Sequence, residues 1–560
     1  LLYGCAAQRS APSADLIISI VGSNDVHGEL LPNSDRGGLV GMSGFVEALR
    51  RKRAADAGAV LLIDAGDMWQ GTLESNIGEG SDVVEAYNIM GYTAAAIGNH
   101  EFDFGPAGPA ATPEDPGDDP RGALKQRIAE ANFPILAANL IDEATGQPVD
   151  WDNVQPSFML DVQGVKIGII GVMTSHALKT TIAANTPGLA IAPLAETIEN
   201  EARRLRRNDA TLVIVSAHAG SHCSEFDDPV DLSSCNLQGE IMRVATTLPA
   251  GLVDHIIAGH VHQGIAHVVN GIAVTSSYSS TRAFSRVDFT IDRRSGEIRN
   301  RQIFPPQPAC LYVLLADGSC AGPESNPALT ARAVYEGFEV QPNVAVVAVA
   351  DRAAANARAF RDRKLGVSIS DSFDKPSSSE SPLGNLMTDA LLESMPVDVA
   401  LHNVRGGIRH GLPIGDLTYG DVYKMFPFDN RIVILDLSGK ELRDLITAQS
   451  LDPNRRGGFS GMRVEVTCDD DTEVRMTLAS GESIRDTDRV SVLVNDYLAL
   501  GGDGILTPIM PDGGYATDSG LPLTRDLLVD WFSTQTGPLE PEAFRTADNP
   551  KWSVPDSCFQ

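Results

Sequence analysis

Seven side chains in the first half of the chain have the types and spacing to hold metal ions: Asp25 with His27, Asp67, Asn99, His218, and His260 with His262. They mix imidazole, carboxylate and one amide oxygen, a donor set that suits Zn, Mn, Fe, Co or Ni better than Ca or Mg alone. Seven donors are too many for one tetrahedral ion and suit two divalent ions, provided one carboxylate bridges them. Asp67, with two oxygens and a central place in the order, is the natural bridge. Two such ions carry four positive charges, of which two aspartates cancel two; the remainder can hold a hydroxide and a phosphate oxygen. Two metals about 3.5–4 Å apart lower the pKa of a bound water and clamp the attacking and leaving oxygens of a phosphoryl displacement. The departing oxygen also needs help. His100 follows Asn99 directly, and Asp103, three residues on, can hold one nitrogen of its ring, so the pair is a candidate for general acid catalysis or transition-state stabilisation.

The elements that must position these residues are legible as short apolar runs. Leu16 to Val21, Ala59 to Ile63, Ala94 to Ile97, Thr211 to Ser216 and Val253 to Ala258 are rich in aliphatic residues, as expected of strands buried on both faces. Each ends at a candidate: Asp25/His27, Asp67, Asn99/His100, His218 and His260/His262. Open α/β sheets bind ligands just beyond the carboxyl ends of their strands, and five of the chain's eleven histidines sit at such ends. His222 lies close enough to His218 to be a rival ligand. His176, His255, His267, His402 and His410 read as surface or hydrogen-bonding residues. Residues 43–57, 81–90, 123–131 and 195–207 have helical patterning, residues 133–138 and 165–172 read as strands, and the Pro-, Gly- and Asp-rich stretch 107–122 reads as a surface insertion.

At 560 residues the chain can bury two or three cores. Its formal net charge of −30 argues against a nucleic-acid polymer as partner and means that local cations must hold any anionic substrate. No uninterrupted apolar stretch approaches the roughly 18–20 residues of a membrane span. Leu2-Tyr3-Gly4-Cys5 resembles a bacterial lipobox without its charged leader, so Cys5 is either the site of a lipid anchor, with residues 8–14 as tether, or a chance cysteine. Six cysteines remain, for which fifteen pairings are possible. Short loops close most readily, which favours Cys223 with Cys235 and Cys310 with Cys320, and leaves Cys468 with Cys558. Disulfides imply an oxidising compartment.

In the second half, residues 343–363 read as a linking helix, 381–394 as a helix, 398–403 as a strand and 405–409 as a turn carrying Arg405 and Arg409. A strand reaches Leu437, and the run 490–497 leads to Gly501-Gly502-Asp503-Gly504. Arg409 can hold an anion, Phe428 and Tyr497 are aromatics in loop contexts able to sandwich a nucleobase, and Asp503 among glycines can approach sugar hydroxyls. The same residues would equally serve as core aromatics and a turn cap.

Taken together, Asp25-x-His27, Gly66-Asp67, Gly98-Asn99-His100-Glu101-Phe102-Asp103, Ala217-His218 and Gly259-His260-x-His262 resemble the five signatures of the calcineurin-like metallophosphoesterases. Their order, with the later GGIR, PFxN and YxxxGGDG elements, resembles the bacterial exported 5′-nucleotidase/UDP-sugar hydrolase branch over nearly the whole chain. That resemblance implies an α/β (α+β) fold: a four-layer metallophosphoesterase β-sandwich with flanking helices, a linking helix and a smaller α/β C-terminal substrate domain. The implied division is a signal remnant or lipoprotein tether at 1–15, a dimetal phosphoesterase domain at 16–341, the linking helix at 342–363 and a substrate-binding domain at 364–560. It assigns one metal to Asp25, His27, Asp67 and His262, the other to Asp67, Asn99, His218 and His260, and a catalytic dyad to His100 and Asp103. Phe428 and Tyr497 would stack the base, Asn430 contact it, Asp503 bind ribose hydroxyls and Arg409 hold anionic groups, with Asn403 beside them. Some members have Gln where this chain has His262. An arginine-rich segment of some members is here Pro376-Ser377-Ser378-Ser379-Glu380, so Arg361, Arg363 or Arg405 are candidates to complete the phosphate grip.

The implied function is a periplasmic or cell-surface hydrolase, lipid-anchored through Cys5, that cleaves nucleotide phosphate esters with metal-activated hydroxide. The alternatives are a 2′,3′-cyclic-nucleotide phosphodiesterase, a UDP-sugar hydrolase, or a surface protein that binds and scavenges nucleotides.

Overall fold

The computed structural model describes residues 15–560 apart from 34, 323–324, 379, 451–455, 469–471, 512–513, 519, 547–549, 556–557 and 559–560. Cys5 and its expected tether lie outside the described residues. Two sheets dominate the first half. One has seven strands, with Asp15–Ser23, Ala59–Asp64 and Ala94–Ala96 running parallel side by side at its centre. The other has six, with Leu212–His218 between the parallel neighbours Val165–Met173 and His255–Ala258.

The alternation of side chains along these strands makes the layers. Ile18, Ile20 and Ile63 of the first sheet meet Ile167, Ile169, Leu212, Ile214 and Ile257 of the second in one buried cluster, while Val21 and Leu62 face outward to the helices Gly38–Ala55 and Ser81–Met90. On the far side Val213, Val215 and Ile256 pack under the helices Leu194–Arg207 and Glu240–Thr247. The order helix, sheet, sheet, helix is the expected four-layer sandwich. With both faces covered, the strands read as unbroken apolar runs.

The linking helix is Val344–Arg361, capped by the Asn343 side chain on Ala345 N–H. Its face of Val346, Val349, Ala350 and Ala353 packs on the N-terminal core, while Ala357 meets Leu73 and Tyr423. The second half builds a four-stranded sheet that includes Val399–His402, Ile432–Ser438 and Arg489–Asn495, with the helix Pro382–Ser394 across it. Three disulfides join Cys223 to Cys235 and Cys310 to Cys320, the two short loops, and Cys468 to Cys558, the pair that remained. Among the described residues no helix is long and apolar enough to cross a membrane.

Several local readings change. The first helix begins at Gly38, five residues before the polar/apolar pattern shows it, because Leu39, Val40 and Met42 are all buried. Only Ile135–Leu136 of the expected strand 133–138 pairs. The 405–409 segment is no turn: Val404–Gly407 is a one-turn helix, and Tyr497 lies in a second short helix, Asp496–Ala499, capped by Asn495. Such one-turn helices are stabilised by tertiary packing and caps, which periodicity cannot reveal. His255, His267 and His402, read as ordinary polar residues, are buried to 0–1 % exposure.

Candidate metal centre and substrate cleft

The loops after five strands converge at the carboxyl edges of both sheets. Backbone bonds stitch them together: Asp25 N–H donates to Gly66 O at 2.9 Å and His27 N–H to Asp67 O at 2.9 Å. Five of the seven expected ligands have left-handed backbone, with φ of +50° at Asp25 and His27, +57° at Asp67, +73° at His260 and +60° at His262. Non-glycine residues adopt this region at a cost, and clusters of such residues mark sites that their surroundings over-determine. Gly98 is required by contact, since a β-carbon there would lie 2.2 Å from Asp67 Oδ1.

The seven residues come together as two overlapping groups. Asp25, His27 and His262 present donor atoms to one point, and Asp67, His218 and His260 to another. Asp67 Oδ2 reaches both, lying 3.9 Å from His27 Nε2 and 3.1 Å from His218 Nε2. Asn99 Oδ1 is 3.0 Å from both His218 Nε2 and His260 Nδ1. His222, the rival of His218, is exposed and outside both groups.

The outer contacts decide which ring atoms face inward. His27 Nδ1 donates to Gln70 O at 2.9 Å and His218 Nδ1 to Ala65 O at 2.8 Å, so each ring turns its Nε2 into the cluster. Backbone carbonyls accept only, which fixes the tautomer as in metal-ligating histidines. His27 Nε2 and His262 Nε2 then stand 3.0 Å apart. His262 Nε2 is also 3.3 Å from Asp25 Oδ1, and imidazole nitrogens gathered this closely among buried carboxylates make a donor set that fits divalent cations.

The electrostatics are strongly perturbed. Burial would raise the Asp25 carboxyl, but His262 and His218 outweigh it and bring the pKa down to about 2. Burial also opposes ionisation of Asp67, yet His218 and His100 hold it well below the ordinary carboxylate range. Burial would lower His218, but Asp67 lifts it to about 10. Burial and a neighbouring histidine bring His27 down to about 3 and His260 to about 4. Perturbations this dense are characteristic of functional sites.

His100 stands beside this cluster, with its backbone N–H on Asp67 Oδ1 at 2.9 Å. Asp103 Oδ2 accepts from His100 Nδ1 at 2.6 Å, so Nε2 is the ring nitrogen that faces the cleft. Burial disfavours the imidazolium, but Asp103 and Asp67 outweigh it and raise the pKa. Two residues absent from the sequence reading hold this arrangement. Thr181 Oγ1 donates to Asp103 Oδ1 at 2.7 Å, and the neighbouring Thr180 O accepts from Asn99 Nδ2 at 2.7 Å. Glu101, fully buried, accepts from the backbone N–H groups of Asp67, Met68 and Gly98 at 2.8, 2.7 and 2.7 Å. It thereby clamps the two loops that carry Asp67 and Asn99. Glu101 lay within a recognised motif, but a charged residue in a loop gives no sequence signal of burial; Thr181 gives none at all.

A cavity of about 300 Å³ opens from the cluster, lined by Asp67, Asn99, His100 and His260 on one side and by residues of the second half on the other. All six expected substrate residues line it: Asn403, Arg409, Phe428, Asn430, Tyr497 and Asp503. Asp503, at φ +53°, accepts from Asn403 Nδ2 and from the Tyr497 hydroxyl, both at 2.7 Å. Asn430 is held by Asp496 at 2.8 Å. Arg409 lies over the Phe428 ring, 5.1 Å from its centre, and its Nη2 is 3.3 Å from His100 Nε2. Of the candidates for an additional phosphate grip, Arg361 pairs with Glu74 at 3.2 Å and Arg363 stacks on Tyr419 at 4.7 Å; neither lines this cavity.

The chain is thus a two-sheet α/β sandwich with paired metal-donor groups at its strand ends, joined by a helix to a second α/β unit across a shared cleft. Residues 363–510 match the family described as 5′-nucleotidase, C-terminal domain. The chain is 26 % identical over 514 residues to the protein UshA of Yersinia enterocolitica, covering 87 % of this chain and 86 % of that protein. It is also 26 % identical over 523 residues to the endonuclease YhcR of Bacillus subtilis, covering 90 % of this chain; it spans 39 % of that longer relative. The solved structure of the 5′-nucleotidase precursor from Thermus thermophilus superposes with a TM-score of 0.69 at 23 % identity, covering 96 % of this chain and 99 % of that one, and shares the fold. The match to the 5′-nucleotidase C-terminal family thus lies in the second half, and the likeness to UshA and to the fold of the solved 5′-nucleotidase extends over most of the chain.

Proposed function

We propose that the protein is an exported, metal-dependent 5′-nucleotidase that hydrolyses the phosphate ester of nucleoside 5′-phosphates. The observation that carries this reading is the single cavity shared by the metal-donor groups and by Phe428, Tyr497, Asp503 and Arg409. Asp25, His27, Asp67 and His262 would hold one divalent cation, and Asp67, Asn99, His218 and His260 the other. Such ions supply positive charge to a phosphoryl group and acidify a bound water.

The chain's own side chains supply the rest. Phe428 and Tyr497 offer ring faces to the base, Asn430 a polar edge and Asp503 an acceptor for ribose hydroxyls. Arg409 has donors only, and it meets His100 across 3.3 Å. An anionic oxygen beside the pair can accept from both. With Nδ1 committed to Asp103, a proton on His100 Nε2 is aimed at the oxygen that departs with the nucleoside. Residues 16–341 then act as the phosphoesterase domain, 342–363 as the linking helix and 364–560 as the substrate domain. A lipid on Cys5 would tether the protein to a membrane surface, and the three disulfides accord with an oxidising destination.

The test is a panel of UMP, AMP, 2′,3′-cyclic AMP and bis-p-nitrophenyl phosphate on metal-reconstituted protein, with His100→Ala beside it. Monoester hydrolysis that needs added divalent metal, with turnover lost and metal retained in the variant, is the expected result. Equal loss of metal would remove the dyad assignment, and inert nucleoside monophosphates would remove the whole reading.

A further inference from the structure

The parallel strands of the two large sheets carry the candidate metal ligands beyond their carboxyl ends. Their opposite ends lie about 20 Å away, at roughly 3.3 Å per residue, and take no part in the proposed reaction. Asp15 begins the first strand there, and the helices Gly38–Ala55 and Leu194–Arg207 both finish there in runs of basic residues. The turns between Ser157–Val162 and Val165–Met173, and between Ala283–Asp292 and Ile298–Pro308, close the same end. Cross-links make these segments neighbours. Arg293 donates to Gln163 Oε1 at 2.8 Å and to Ala57 O at 2.9 Å, Lys166 Nζ lies 3.3 Å from both Asn208 O and Asp209 Oδ2, and Arg299 lies 3.0 Å from Asp15.

The charge of this end is opposite to that of the chain. Segments 50–56, 161–166, 203–209 and 292–301, with Asp15 and Asp254, carry thirteen Arg and Lys against seven Asp and Glu, where the whole chain has 44 against 74. Arg207 and Arg294 are exposed and Lys52 is half-buried, and among the described residues none of the three makes an ion pair. The acidic remainder does not cancel this surplus at close range. Exposed charges act over about 8 Å at physiological ionic strength, less than half the length of the strands that separate this end from the cleft. A further observation indicates the partner. Cys5 precedes Asp15 by ten residues, so a lipid there would lie within about 35 Å of this end.

We propose that this end of the first half is a membrane-facing surface, which binds anionic lipid headgroups through Lys52, Arg207, Arg294 and the arginines around them. A lipid on Cys5 would hold the chain near a membrane without deciding which face meets it; the basic end decides that. Clustered Lys and Arg are drawn to an anionic bilayer within a Debye length of its surface. With this end on the membrane, the metal-donor groups at the other ends of the strands point away from it, and the cleft stays open to nucleotides in solution.

The test is co-sedimentation of the full chain carrying Cys5→Ser, so that no lipid contributes, with vesicles of phosphatidylglycerol and phosphatidylcholine in equal parts and with phosphatidylcholine alone. We expect binding to the anionic vesicles only, weakening as salt is raised. Lys52→Gln/Arg207→Gln/Arg294→Gln should bind them about 100-fold less tightly, with Arg294→Glu alone losing part. An unchanged melting temperature in both variants separates this loss from misfolding. Failure to bind anionic vesicles, equal binding to neutral ones, or affinity that survives in the triple variant would overturn the surface. Equally tight binding to double-stranded DNA would overturn lipid as its partner.

Discussion

Replacing Thr181 with valine isolates one hydrogen bond in the proposed catalytic apparatus. Valine keeps the volume and branching of threonine, so the packing of this buried position, 4 % exposed, is retained. What is lost is the hydroxyl that donates to Asp103 Oδ1 at 2.7 Å. Asp103 would keep His100 Nδ1 on its other oxygen and the distant Ile182 N–H at 3.4 Å on this one. A hydrogen bond to a charged group contributes about 1.5–3 kcal/mol, and a buried carboxylate oxygen left short of a donor is free to rotate. If the bond holds Asp103 in the orientation that aligns His100, kcat falls about 10- to 100-fold, since about 1.4 kcal/mol is one decade. Metal content should not change, because the contact that holds Asn99 comes from the Thr180 carbonyl and survives the substitution. The assay is steady-state hydrolysis of UMP with bound metal measured on the same samples. Asp103→Asn serves as comparator, and the double variant should lose less than the sum of the singles. A kcat within twofold of wild type, or a loss that tracks lost metal, would refute Thr181 as a positioning residue.

Glu101→Ala removes three acceptor contacts that fix the Asp67 and Asn99 loops. It should cost about 3 kcal/mol or more in stability and weaken metal binding about 10- to 100-fold, with Glu101→Gln milder in both melting and metal titration; unchanged metal affinity in the alanine variant contradicts the clamp. Phe428→Ala should lower kcat/KM for UMP by about 1–3 kcal/mol of stacking while leaving p-nitrophenyl phosphate hydrolysis within about threefold, and parallel losses on the two substrates would exclude a base contact. Burial, with Arg301 adding to it, pulls His255 down to about 3 from an ordinary 6.5. Its neutral form stabilises the fold fully above pH 6.5, and that contribution is lost as pH falls towards 3, by about 2 kcal/mol at pH 5. His255→Gln should flatten the fall of the denaturation midpoint between pH 7 and 5; an unchanged slope would show that the histidine does not report this burial.

The strand ends and their donors were legible in the amino-acid order because doubly covered parallel strands must be unbroken apolar runs, so the residues that follow stand out. Seven donors in five such places suffice to expect a metal centre there, and the spacing of His100 and Asp103 to expect their contact, which the structure places at 2.6 Å. The pattern could not show which ring nitrogen faces inward. That is decided by carbonyls of Gln70 and Ala65, which reach His27 and His218 from distant parts of the chain. Nor could it show that Tyr497 sits on a one-turn helix rather than a loop, because so short a helix depends on its Asn495 cap and its packing. Glu101 and Thr181 were invisible as supports, since hydrogen bonds to a backbone amide or a carboxylate elsewhere leave no period in the sequence. The basic end of the first half is the most tertiary feature of all. Its cations come from four separate segments of a strongly acidic chain, and only the stacking of one sheet on the other makes them neighbours.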